Sequence, residues 1–195
     1  MFFGEFFHIA RTAAECGMKH GRTPVPRSGV RPFRTKSGES SGGIRNFSLS
    51  LVVMAGLYFH IPFCKRVCAY CDFYKSVELD RMEPLAEAMR RELEARRDYL
   101  GGEPVRTRYF GGGTPSLCPP ETIGGLLARA AELFDCSAVE ETTLEANPDD
   151  LTPAYLEALR RTGIDRLSIG IQSFDDACLK LMNRRHTAAQ AAESV

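Results

Sequence analysis

The sequence contains no tryptophan, carries no net charge and has no long apolar run. Its apolar stretches fall short of the ~20 residues a helix needs to cross a bilayer, which argues against a membrane-spanning helix. The N-terminus reads as a poor secretory signal peptide. Met1-Phe2-Phe3-Gly4-Glu5-Phe6-Phe7 is aromatic, but no basic residues precede it and Glu5 interrupts it. The seven cysteines are an odd number: Cys64, Cys68 and Cys71 are clustered, whereas Cys16, Cys118, Cys136 and Cys178 are isolated. That pattern is not a secreted disulfide framework. It suits a reducing, cytoplasmic setting and a metal site. The zero charge conceals a split. Residues 1–53 hold eight Lys/Arg against three Asp/Glu, and the remainder holds 17 against 22. The arginines of the basic arm are scattered, with only Phe33 and Phe47 between them, so nucleic acid is not an expected partner.

What is present is enough for one domain with a real core: 195 residues, 44% of them hydrophobic. Residues 1–53 are expected to stand outside that domain. From Gly21 to Ser50 they are mostly Gly, Ser, Pro and Arg with few aliphatics. Either Met54 is the true start and 1–53 an upstream extension, or 1–53 is a disordered arm or targeting leader. The domain proper is 54–195.

From Leu57 the pattern alternates strand and helix. Leu57–Phe63 reads as the first strand. Asp80 as cap and Pro84 as opener start a helix with Leu85, Met89, Leu93 and Leu100 inward, stopped by Gly101-Gly102. Val105–Phe110 is the second strand, and Pro119-Pro120 precede a helix with Ile123, Leu126, Leu127, Ala130 and Phe134 inward. Glu140–Ala146 is the third strand, and Thr152-Pro153 start a helix with Tyr155, Leu156 and Leu159 on one face and Gly163 as its stop. Arg166–Ile171 is the fourth strand. Ser173 and Asp175 begin a short helix, and Thr187 with Gln190 forms a capping box for another. Four βα units in a row predict an α/β fold with a parallel sheet and right-handed crossovers. In such sheets functional residues gather at the carboxyl ends of the strands.

Each strand end here carries a polar or glycine-rich signature. Cys64, Cys68 and Cys71 follow the first strand with the spacing C-x3-C-x2-C. Three thiolates with no close fourth would leave one iron of a cubane cluster open. Zinc completed by Cys118, Cys136 or Cys178 is the alternative on spacing alone. Gly111-Gly112-Gly113-Thr114-Pro115 follows the second strand; it is either an ordinary turn or a loop whose N–H groups receive a carboxylate. Glu145 lies in a mostly apolar strand, where a carboxylate needs a partner, structural or otherwise. Gln172 ends the fourth strand.

C-x3-C-x2-C after a strand resembles the radical S-adenosylmethionine enzymes. His60-Ile61-Pro62-Phe63-Cys64, closed by Tyr70-Cys71, is similar to one branch of them, which holds oxygen-independent coproporphyrinogen III oxidase and the HemW-type haem chaperones. Met54-Ala55-Gly56-Leu57-Tyr58 resembles the usual beginning of that branch. The resemblance covers about residues 54–195. It implies a partial (β/α) barrel, here truncated after about four βα units of six, with a later aspartate and a C-terminal domain not in the sequence. It implies a 4Fe-4S cluster on Cys64, Cys68 and Cys71. S-adenosylmethionine would bind the open iron, and its one-electron cleavage would give a 5′-deoxyadenosyl radical. Gly113, Thr114, Glu145, Gln172 and Arg184 would contact S-adenosylmethionine, Arg184 through its carboxylate. Tyr58 would pack near it, unless it is simply a core aromatic. His60 would stand beside the cluster without ligating it, and Arg185 would be solvated.

One departure separates the members of the branch. After the third cysteine the oxidases continue with a Cys-Gly-Cys-Asn-like string, whereas Cys71 is followed here by Asp72-Phe73-Tyr74-Lys75. That is the haem-chaperone pattern. Haem or another tetrapyrrole, an electron-donor protein and a haem-acceptor protein are the implied partners. Oxidative decarboxylation of coproporphyrinogen III in porphyrin biosynthesis is the alternative activity. A zinc-stapled interaction domain without redox chemistry is the alternative from another class.

Overall fold

The computed structural model describes residues 7–12 and 54–195. Four strands, β2 (Met54–Ile61), β3 (Val105–Gly112), β4 (Glu141–Ala146) and β5 (Arg166–Ile169), lie parallel and side by side in chain order. Helices α1 (Met82–Ala95), α2 (Pro120–Leu133) and α3 (Pro153–Arg160) link them, and α4 (Asp176–Leu181) and α5 (Ala188–Glu193) follow β5. Parallel strands need long crossovers, and α1, α2 and α3 are those crossovers. Strands added in sequence order, with one shared core between sheet and helices, make this an α/β fold of partial (β/α)-barrel type.

A fifth strand, β1 (Phe7–Thr12), pairs antiparallel with the free side of β2, from Phe7 opposite Phe59 to Thr12 opposite Met54. The composition of residues 1–53 suggested no element there. A six-residue run containing Phe, Ile and Thr is too short to show above the Gly, Pro and Arg around it. The edge of β2 supplies the ladder it needs. The other residues of 1–53, including Cys16, lie outside the described residues.

Alternation divides the sheet into two faces. Ala55, Leu57, Phe59 and Ile61 of β2 are fully buried beneath the helices, with Phe110 of β3 and Leu144 of β4 beside them. Phe59 and Phe110, opposite each other in register, stack with ring centroids 4.5 Å apart. Met89 and Leu93 of α1, and Ile123, Leu126 and Ala130 of α2, complete this core at 3.6-residue spacing. The other face carries Tyr58, Tyr109, Glu145 and Ser168. The register sets Tyr58 against Tyr109 and Glu145 against Ser168.

Several boundaries differ from those read in the sequence. The first helix starts at Met82, after a 3-10 turn over Leu79–Arg81, and no side chain caps it. Leu100 is buried but lies past that helix, ahead of Gly101 and Gly102, both at positive φ. Leu156 is exposed, and only Leu159 of α3 is fully buried, because an eight-residue helix presents a narrow stripe. The fourth parallel strand ends at Ile169, two residues early, where the chain turns towards Gln172 at φ 67°. The capping box of Thr187 and Gln190 is present as expected.

Phe110→Ala removes the ring that joins β2, β3 and the helical layer. A buried Phe→Ala change costs about 3–5 kcal/mol, so the urea midpoint of unfolding should drop sharply. A loss below about 1 kcal/mol would contradict this account of the core.

Candidate functional site

The cysteine loop leaves β2 at Pro62 and is held at both ends. Cys64 N–H donates to Ser76 O (2.9 Å) and Ser76 N–H to Pro62 O (2.8 Å), closing the loop over its cysteines. Lys75 Nζ donates to the carbonyls of Cys71 (2.6 Å) and Phe73 (3.1 Å). The middle is tied to the turn after α4: Ala69 N–H donates to Met182 O (3.0 Å), and Asn183 Nδ2 to Val67 O (2.7 Å). Cys64 is buried, while Cys68 and Cys71 are half-buried; all are free thiols. Burial pushes the Cys64 thiol up, and the neighbouring Cys71 and Cys68 add to the shift. A hydrogen bond from Thr114 (Oγ1 to Sγ, 3.4 Å) and the charge of Arg185 oppose it. A cation bound there would release the proton, since a coordinating thiol is deprotonated.

The glycine loop lies against the base of the cysteine loop. A Cβ on Gly113 would stand 2.7 Å from Pro62 C, and one on Gly112 2.7 Å from the His60 ring. Only glycine permits this approach, and Gly112 also sits at φ 120°. The N–H groups of Gly112 and Gly113 are taken up within the protein rather than offered to a ligand. Gly113 N–H donates to Ile61 O (2.8 Å) and Gly112 N–H to Glu145 Oε2 (3.0 Å). The other carboxylate oxygen of Glu145 accepts from Tyr109 OH (2.7 Å). Glu145 thus has structural partners on both oxygens while it lines the cavity, and a carboxylate oxygen can accept more than one hydrogen bond.

Arg184 comes from the turn after α4, where Asn183 adopts φ 56°. Its Nη1 donates to Cys68 Sγ (3.2 Å), and its Nη2 to Asn147 Oδ1 (2.6 Å) and Gly170 O (2.6 Å). Its Nε is buried with no hydrogen-bond partner. Arg185 is not solvated, contrary to expectation. It is mostly buried and paired with Asp149 (3.2 Å) and Asp150 (2.7 Å). The adjacent His186 is buried, with Nε2 on Ile171 O (2.8 Å), and burial pushes its pKa down. A neutral ring donating from Nε2 meets that carbonyl.

These segments enclose a cavity of about 350 Å³ at the carboxyl ends of β2 to β5. Cys64, Cys68, Cys71, Gly113, Thr114, Glu145, Gln172 and Arg184, the residues singled out in the sequence, all line it. Tyr58 does not. It lies one layer down, hydrogen-bonded to His60 Nδ1 (3.0 Å) and stacked on Tyr109. Cys118 is buried among core residues and Cys136 packs against them, while Cys178 is exposed on α4. None of these three reaches the cavity, so they offer no fourth ligand to the clustered thiols. Among the described residues no three His, Cys, Asp or Glu side chains stand close enough to hold a single metal ion. Sequence reasoning did not find Asn147 or Ser168, which also line the cavity, nor the pairing of Asp150 with Arg185. Asn147-Pro148 was visible as a strand end, but its contact with Arg184 spans 37 residues.

Comparison with known proteins bears on this arrangement. Residues 58–195 match the family described as the radical SAM superfamily. The chain belongs to that superfamily. It is 39% identical over 139 residues to the heme chaperone HemW of Lactococcus lactis, covering 71% of this chain and 36% of that one. It is 39% identical over 145 residues to the mitochondrial radical S-adenosyl methionine domain-containing protein 1 of Bos taurus, covering 72% and 32%. Among solved structures, the coproporphyrinogen III oxidase HemN of Escherichia coli, a radical SAM enzyme, superposes with a TM-score of 0.62 at 29% identity. It covers 68% of this chain and 31% of that one. The chain therefore spans about a third of the length of these relatives. No helix among the described residues is long and apolar enough to cross a membrane.

The donor set fits what the superfamily implies. Three soft thiols share one cavity, and a guanidinium with a spare buried N–H stands beside them.

The Tyr109 phenol reports on the cavity wall. Burial, then its hydrogen bond to Glu145 and that carboxylate's charge, push it up to about 12. The folded state thus favours the neutral phenol, so its contribution to stability is full below the ordinary value of 10.0 and is lost as the pH rises towards 12. Glu145→Gln should lower the Tyr109 value but not restore it, because burial, the largest cause, remains. NMR titration of ring-labelled tyrosine checks this, and an unchanged value would show that Glu145 does not act on Tyr109.

Proposed function

We propose that Cys64, Cys68 and Cys71 hold a 4Fe-4S cluster whose fourth iron takes S-adenosylmethionine, and that the chain is the cofactor-binding part of a haem chaperone of HemW type. The observation that carries the reading is the meeting of three thiols with Thr114, Glu145, Gln172 and Arg184 in one cavity at the strand ends. The match covers only 36% of the relative that bears the chaperone name, so the haem role is the outer part of the proposal.

In this reading each side chain has a definite task. The three thiolates are the iron ligands. Thr114 donates to the Cys64 sulfur and Arg184 to the Cys68 sulfur, and such hydrogen bonds raise a cluster's readiness to accept an electron. Asn147 and Gly170 aim Arg184, whose Nε remains to meet the carboxylate of the methionine part. Glu145 and Gln172 offer an acceptor and an amide to the same cavity. Tyr58 acts through the wall, as support for Tyr109. When bound, the cofactor pair supplies one-electron cleavage and hydrogen abstraction; the protein supplies placement and exclusion of water. Electron-donor and haem-acceptor proteins are the partners this requires, in a reducing compartment such as the cytoplasm.

Asp72-Phe73 after Cys71 favours haem carriage over oxidation of coproporphyrinogen III, the activity for which the solved relative is named. Two results are expected. After anaerobic reconstitution with iron and sulfide, Cys64→Ala, Cys68→Ala and Cys71→Ala should each lose most of the cluster's visible absorption, and Cys118→Ala should keep it. Loss in Cys118→Ala equal to that in Cys68→Ala would overturn the three-thiolate assignment. Second, haem should bind, while dithionite, S-adenosylmethionine and coproporphyrinogen III should give no protoporphyrinogen. Catalytic formation of that product would favour the oxidase reading.

A further inference from the structure

We propose that Asp150 is the positioning residue of this site: its buried carboxylate clamps three loops that carry cavity residues and offsets the cations set beside the cysteine loop. Asp150 closes the short 3-10 turn Pro148–Asp150 after β4, and its side chain is only 5% exposed. A carboxylate this deeply placed needs full pairing. Its partners come from three different loops. Lys65 Nζ, from the residue next to Cys64, donates to Oδ1 at 3.3 Å. Ser116 Oγ, two residues past Thr114, donates to Oδ2 at 2.8 Å. Arg185 Nη2, next to Arg184, donates to Oδ2 at 2.7 Å.

The pairing continues inward. Ser116 Oγ accepts from Asn147 N–H (3.1 Å), and Asn147 Oδ1 accepts from Arg184 Nη2 (2.6 Å). Asp150 therefore governs Arg184 by two routes, through Arg185 and through Ser116 and Asn147. It does not line the main cavity itself. It acts on the loops behind Cys64, Thr114 and Arg184. Its charge also matters there. Without it, the guanidinium of Arg185 would stand mostly buried beside the thiols, held by Asp149 alone. Arg185 itself lines the cavity that the three thiols share.

Two measurements test this, and the second rests on the cluster reading above. In the cluster-free chain, hydrogen exchange by mass spectrometry should show Asp150→Asn exchanging about tenfold faster in segments 62–76, 113–118 and 182–187, since breaking a buried pair strongly favours local opening. The core of α1 and α2 should be unchanged. Faster exchange spread evenly over the chain, or confined to 148–152, would overturn the clamp. In the reconstituted chain, the reduction potential should rise in Asp150→Asn, fall in Arg185→Gln, and return near its starting value in the double variant, because net charge near a cluster sets its potential. A residue that only held the fold together would move both single variants the same way, and that result would overturn the charge role. Failure of the unaltered chain to take up a cluster counts against the proposed function alone, and the exchange experiment still decides the clamp.

Discussion

The site depends on one close approach. The end of β3 runs so near the end of β2 that a single methyl group on Gly113 would collide with the backbone of Pro62 and Phe63. That contact brings Thr114 to within hydrogen-bonding distance of Cys64 and sets the floor of the cavity beneath the cysteine loop. The parallel sheet itself supplies the approach. Ile61 and Gly112 are register partners, so the two chains leave the sheet at the same level. Glycine at both Gly112 and Gly113 lets them stay together for one residue more.

The same logic explains why the polar residues gather on one face. Alternation sends Phe59, Phe110 and Leu144 under the helices and leaves Tyr109 and Glu145 on the other side. The carboxylate is tolerable there because a phenol and a backbone N–H meet its two oxygens. Arg184 and Arg185 divide the cationic work. Arg184 faces sulfur and carbonyl groups within the cavity, and Arg185 is absorbed by two aspartates behind it.

Much of this was legible because its causes are local. The 3.6-residue stripes of α1 and α2, the capping box at Thr187 and the cysteine spacing are all short-range patterns. The strand-end residues of the cavity were legible because parallel strands deliver their carboxyl ends to one side, whereas Arg184, which follows α4, was indicated only by the resemblance to the family. What stayed hidden depends on contacts distant in sequence. The pairing of Asp150 with Arg185 crosses 35 residues, and nothing near either position distinguishes it from a surface pair. The fate of the glycine N–H groups depended on where Glu145 pointed. Strand β1 was hidden because its pairing partner, not its own composition, makes it a strand. Tyr58 was expected near the site, but only the structure shows Tyr109 and His60 as its neighbours.

The central claim is that three thiolates leave one iron open for S-adenosylmethionine. The most direct test is electron paramagnetic resonance of the reconstituted, dithionite-reduced chain, recorded with and without S-adenosylmethionine. The account predicts a reduced-cluster signal whose g-values shift when S-adenosylmethionine is added, because a ligand has entered at the open iron. A cluster signal that is present but indifferent to S-adenosylmethionine would contradict it.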